Sequence, residues 1–104
     1  MATTREYVEY VCEQLRGIGE LRYRKMFGEY MVYVADKPVL LVCDNTVYVK
    51  KLPEIEPQMA AAEVGIPYPG AKEHYVLDID NGETARAVAA AVEALTAVPR
   101  SKKR

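Results

Sequence analysis

The chain has 104 residues, with 14 Lys+Arg against 15 Asp+Glu and a formal net charge of −1. Half of the residues are hydrophobic and 28% are charged, which excludes a wholly disordered chain, and the length fits one domain around one core. The charge is unevenly spread: Arg100, Lys102, Lys103 and Arg104 put four positive charges into the last five residues, leaving 10 basic against 15 acidic residues, a net of −5 for the rest. An acidic body disfavours a generally basic nucleic-acid binder.

In chain order, Thr3-Thr4 opens the first helix, and Thr3 with Glu6 fits a capping box. Val8, Val11, Cys12 and Leu15 recur at helical spacing and predict one apolar face, with Arg5 and Glu9 paired outside it. Gly17 and Gly19 mark its end. A dense β region follows, with strands predicted over Leu21–Phe27, Glu29–Ala35, Pro38–Asp44 and Thr46–Lys50. Asp36-Lys37 and Asp44-Asn45 read as turns, and links this short require antiparallel hairpins. Gly28 predicts a bend between the first two strands. The continuous apolar run Val39–Cys43 predicts a central strand covered on both sides.

Prolines 53, 57, 67 and 69 break up the next segment, where Glu56–Val64 predicts a short helix and Pro67–Gly70 an extended turn. Glu73–Ile79 reads as a last strand, with Tyr75, Leu77 and Ile79 on one face and His74, Val76 and Asp78 on the other. A closing helix runs from Glu83 to about Val98, with Val88, Val92 and Leu95 as its stripe and Ala85 and Ala91 alongside. The order predicts an α+β domain over 1–99, with helices on an antiparallel sheet of four to five strands, and a basic, disordered tail over 100–104.

No secretory signal opens the chain, and no apolar run approaches the ~20 residues of a membrane helix, which points to the cytoplasm and away from membranes. Cys12 and Cys43 belong to no metal or redox spacing and read as small apolar residues. The single histidine, His74, stands too far along the strand from Asp78 for direct contact, and one histidine is too few for a zinc site. Asp78–Gly82 lacks the glycine position and the later glutamate of a calcium loop and reads as a turn with a helix cap. Neither a catalytic residue, a metal nor a cofactor is expected.

Three features suggest a surface. Arg22, Arg24 and Lys25 in the first strand, with Lys50 and Lys51 ending the fourth, form an anion-binding patch if those strands are neighbours; otherwise they pair with Glu20, Glu29 or Glu54. Eight tyrosines against one phenylalanine suggest rings at a half-buried sheet or an interface, with Tyr30 and Tyr33 on opposite faces and Tyr68 in the proline segment. The basic tail offers a further contact to nucleic acid or acidic lipid.

Tyr23-Arg24-Lys25-Met26-Phe27-Gly28-Glu29-Tyr30 resembles the opening of the TfoX N-terminal domain family, named after bacterial competence regulators. Val47-Tyr48-Val49-Lys50 and Pro67-Tyr68-Pro69-Gly70-Ala71-Lys72 agree with it in order. The resemblance spans about residues 3–98 and implies a fold similar to secretion-chaperone-like domains, in a bacterial cytoplasmic protein tied by name to transcriptional regulation. The family's competence regulators carry a further C-terminal domain, so this chain is expected to be a stand-alone N-terminal domain. The resemblance supplies no catalytic residues. The leading expectation is a regulatory protein-interaction module with an unknown protein partner or as a homodimer. Direct nucleic-acid binding through the basic residues is the second, and a ligand pocket or enzyme near His74, Tyr68 and the basic strand the third.

Overall fold

The computed structural model describes residues 3–26 and 29–96. The expected bend at Gly28 and the basic tail lie outside the described residues, whereas the closing helix ends at Leu95, about three residues earlier than the sequence predicts, with Thr96 already extended. The elements run α1 (Arg5–Gln14), β1 (Leu21–Met26), β2 (Glu29–Val34), β3 (Lys37–Cys43), β4 (Thr46–Lys50), a 3₁₀ turn (Pro53–Ile55), β5 (Val64–Gly65), β6 (His74–Val76) and α2 (Gly82–Leu95). The fold is α+β. Its antiparallel sheet has six strands in the order β1-β2-β3-β4-β6-β5, one or two more than the sequence predicts, because β5 is only two residues long.

Local chemistry explains most of these elements. Thr4, rather than Thr3, caps α1 by accepting a hydrogen bond from the Tyr7 N–H. Thr3 is instead buried as a clip: its hydroxyl donates to the Glu29 carboxylate at 2.7 Å and accepts from the Asn45 N–H at 3.1 Å. Asn81 caps α2 through the Thr84 N–H. The expected helix at Glu56–Val64 is replaced by the 3₁₀ turn and irregular turns. Pro53 is well placed to start a helical turn, but Pro57 has no N–H to continue its ladder.

The core lies between the helices and one face of the sheet. Val8, Val11 and Leu15 of the α1 segment and Ala85, Val88, Ala89 and Val92 of α2 are buried against Val32, Leu40, Val42, Val47 and Val49. Ala89 takes the place expected for Leu95, because positions 85, 88, 89 and 92 share one helical face; Leu95 is exposed. Tyr75, Leu77 and Ile79 are buried as their alternation predicts.

Both helices pack on this face: α1 against β1 and β2, α2 against β3. The expectation that β3 is covered on both sides therefore holds only in part: the helices cover one side, and on the other Cys43 is buried but Leu41 is not. Leu41 points to the other face and is only half-buried, while Leu40 and Val42 are in the core. A register shift at Val32/Tyr33, where β2 meets β3, also turns Val39 into a buried position, which is why the run looks apolar throughout.

Candidate interaction surface

The pleat sorts each strand into a core side and an outer side, and the register lines up the outer residues. Arg24 of β1 stands opposite Met31 of β2, Met31 opposite Leu41 of β3, Leu41 opposite Tyr48 of β4, and Tyr48 opposite Val76 of β6. This row crosses five strands, and its four apolar or aromatic members are each half-buried. At ~4.8 Å per strand it is roughly 19 Å long. Beside it, Arg22 faces Tyr33, and Lys50 faces His74, which faces Gly65. Among the described residues no helix lies over this side.

A depression of about 600 Å³ opens along the row, lined by Met31, Pro38, Leu41, Tyr48, Tyr68 and His74 among others, with Lys50, Lys51 and Lys72 around it. The Tyr48 ring meets His74 edge-on at 6.4 Å, and the Tyr48 ring lies close over Gly65, where an added Cβ would approach it to 3.3 Å. The His74 ring nitrogen Nδ1 is 2.8 Å from the Lys72 carbonyl, a local contact that holds the ring at the lip. The expected grouping of His74 with Tyr68 is present, but Arg22 and Arg24 of the basic strand do not line this depression.

The two basic clusters are not neighbours. β1 and β4 are separated by β2 and β3, so Arg22 and Lys50 belong to opposite ends of the surface. Arg22 pairs with Asp36 at 2.9 Å and Lys51 with Glu73 at 2.9 Å, rather than with the glutamates nearest in sequence. The Glu73 bond holds the Lys51 ammonium above its ordinary range. Arg24, Lys25 and Lys50 have no ion-pair partner among the described residues. Tyr30 also departs from expectation: it is buried in the core, packed edge-on against Tyr23 at 5.5 Å, and offers nothing to a partner. Tyr33 is on the outer side and Tyr68 is exposed.

Sequence reasoning misses Met31, Leu41 and Val76 as surface residues. Alternation within each strand was the available signal, but only the register between strands joins them into one row. A second depression, of about 690 Å³, lies at the other end of β4 and is lined by Tyr7, Asn45, Asp78, Asp80 and Thr84 among others. There Tyr10 donates a hydrogen bond to Asp80, which raises the phenol's pKa. Among the described residues, no group of three or more His, Cys, Asp or Glu side chains is arranged to hold a metal ion, and no helix is long and apolar enough to cross a membrane. Cys43 is buried, and desolvation pushes its thiol up to about 11; burial also raises Cys12.

The model of the TfoX N-terminal domain matches residues 13–95, which contain the whole sheet, all of α2 and the last two residues of α1. The chain belongs to the TfoX N-terminal domain family. A similar relative, described as an uncharacterised 12.7 kDa protein in the region 5′ of trpE in Spirochaeta aurantia, is 38% identical over 78 residues, 75% of this chain and 68% of that protein. Within this TfoX N-terminal domain the outer face is built almost entirely from the matched segment, since Arg22, Met31, Leu41, Tyr48 and Val76 all lie inside it.

Proposed function

We propose that this chain is a non-enzymatic bacterial regulatory module that works in the cytoplasm by docking a protein on the outer face of its sheet. The observation that carries the reading is the row Met31–Leu41–Tyr48–Val76, an apolar strip with no helix over it among the described residues. Strips of this kind mark interaction sites, because exposed apolar area gains by being covered. The TfoX N-terminal family membership supports the regulatory part. The same surface serves either a different protein or a second copy.

The test is site-specific photocrosslinking in cells producing the full chain. A benzophenone side chain at Tyr33, on the outer face, is expected to yield discrete protein adducts. The same group at Glu13, exposed on the outer side of α1, is expected to yield none. Equal labelling at both positions, or no adduct at Tyr33, rejects the reading.

A further inference from the structure

We infer that the occupant of the outer face is an acidic, amphipathic segment of a different protein, an inference that rests on the docking reading above. Charge is the first argument. The charged side chains on the outer positions of β1 and β4 are Arg22, Arg24 and Lys50, and Lys72 stands at the lip of the depression. The acidic groups beside them are already engaged: Asp36 pairs with Arg22, Glu29 accepts from the Thr3 hydroxyl and from the Thr3 and Asp44 N–H groups, and Glu73 holds Lys51. That leaves Arg24, Lys50 and Lys72 as the cations of this face without an ion-pair partner among the described residues. The chain without its tail nevertheless carries −5, so its acidity is displaced to other surfaces such as α1 and the Asp78–Asp80 turn. A positive face on an acidic body steers in anionic partners and repels an approach in the wrong orientation.

Shape and chemistry then choose among anionic partners. Met31, Leu41 and Tyr48 form the middle of the row and Val76 its β6 end, apolar groups that need cover, while Arg24 stands at its β1 end, Lys50 beside it on β4 and Lys72 at the lip of the depression. That arrangement suits a segment with a few large apolar side chains flanked by Asp or Glu. A nucleic-acid backbone would leave the apolar centre uncovered and would meet cations divided between β1 and the β4–β6 end. A second copy docked face to face would bring Arg24 and Lys50 toward their own counterparts or toward each other, depending on the two-fold axis, and either arrangement sets like charges against association. The length of the row, roughly 19 Å, corresponds to about a dozen helical residues or about six extended ones.

The experiment is selection of a phage-displayed library of random peptides, about a dozen residues long, on the immobilised full chain, followed by titration of the synthesised winner. Methionine-methyl NMR provides the readout, because Met31 is on the outer face while Met59 is buried in the core. The expected result is enrichment of net-acidic sequences with at least two large apolar residues, whose binding moves the Met31 methyl and leaves Met59 in place. Arg24 and Lys50 are both exposed, so the double variant R24E/K50E is expected to fold and to bind the winner ~10-fold or more weakly, with R24Q/K50Q in between. Neutral or basic winners, no enrichment, tighter binding of oligothymidylate at Met31, or a Met31 shift that depends only on protein concentration overturns the acidic occupant. A Met31 shift with one of those wrong chemistries leaves docking itself standing. If no probe moves Met31 and Tyr33 gives no adduct, both readings fail.

Discussion

Leu40 and Leu41 are neighbours in β3, yet one is 1% exposed in the core and the other faces outward in the apolar row. A one-residue step in a strand reverses the face, so the two leucines have different physical roles. Leu40→Ala leaves a cavity among close-packed core groups and is expected to cost about 2–5 kcal/mol. Leu41→Ala removes a contact at a half-open surface and is expected to cost under about 1 kcal/mol. Urea unfolding of the two variants checks this, and similar losses at both positions would show that the outer face is covered after all. Thr3 makes the same point with a polar side chain. Its position before α1 suggests a cap, but a hydroxyl in reach of Glu29 and the Val42 carbonyl is worth more as a tie between the N-terminal segment and the sheet.

At the scale of elements, the two inner hairpins set the register that builds the row. Their turns are Ala35–Asp36 and Asp44–Asn45, and all four residues have positive φ, between 53° and 66° for Asp36, Asp44 and Asn45 and 52° for Ala35. The first turn is thus one residue earlier than the sequence predicts. Asp36 and Asn45 tolerate the left-handed region well, but Ala35 does not, because its Cβ crowds the backbone there. Ala35 is also exposed, so Ala35→Gly is expected to raise stability by about 0.5–1 kcal/mol, measured as a higher urea midpoint at unchanged slope. A lower midpoint would mean that the alanine side chain makes a contact worth more than the strain. The same hairpin also holds α2: Lys37, at the start of β3, reaches the Glu93 carboxylate at 2.8 Å and the Glu93 carbonyl at 3.2 Å. It supplies the cation that the last turn of α2 lacks, where the helix dipole is negative.

For the whole molecule, several acidic groups titrate late for physical reasons that folding imposes. Cys43 is held up to about 11 by desolvation, Tyr7 and Tyr48 are raised first by burial, and Tyr10 and Tyr23 by hydrogen bonds to Asp80 and Glu9. A raised pKa in the folded state means that the unfolded chain loses these protons first. Stability is therefore fully present below the ordinary thiol range and falls as pH rises from about 9 through 11. Thermal melts at pH 8 and at about 10.5 are expected to show a smaller decline for Cys43→Ala than for the native chain, since the variant lacks the thiol but keeps the tyrosines. Equal declines would assign the alkaline loss to the tyrosines alone.

The sequence by itself determined the α+β class, the antiparallel hairpins, the apolar stripe of α1, the Asn81 turn into α2 and the family, because caps, periodicity and short links are local signals. It also placed Tyr30 and Tyr33 on opposite faces, since alternation holds within a strand. Only the tertiary structure decided which face the helices cover, that Tyr30 is core, that the basic clusters are separated by two strands, and that Met31, Leu41, Tyr48 and Val76 form one row. Those facts depend on which strand lies beside which and in what register, and the hydrogen bonds that fix this join residues far apart in the chain.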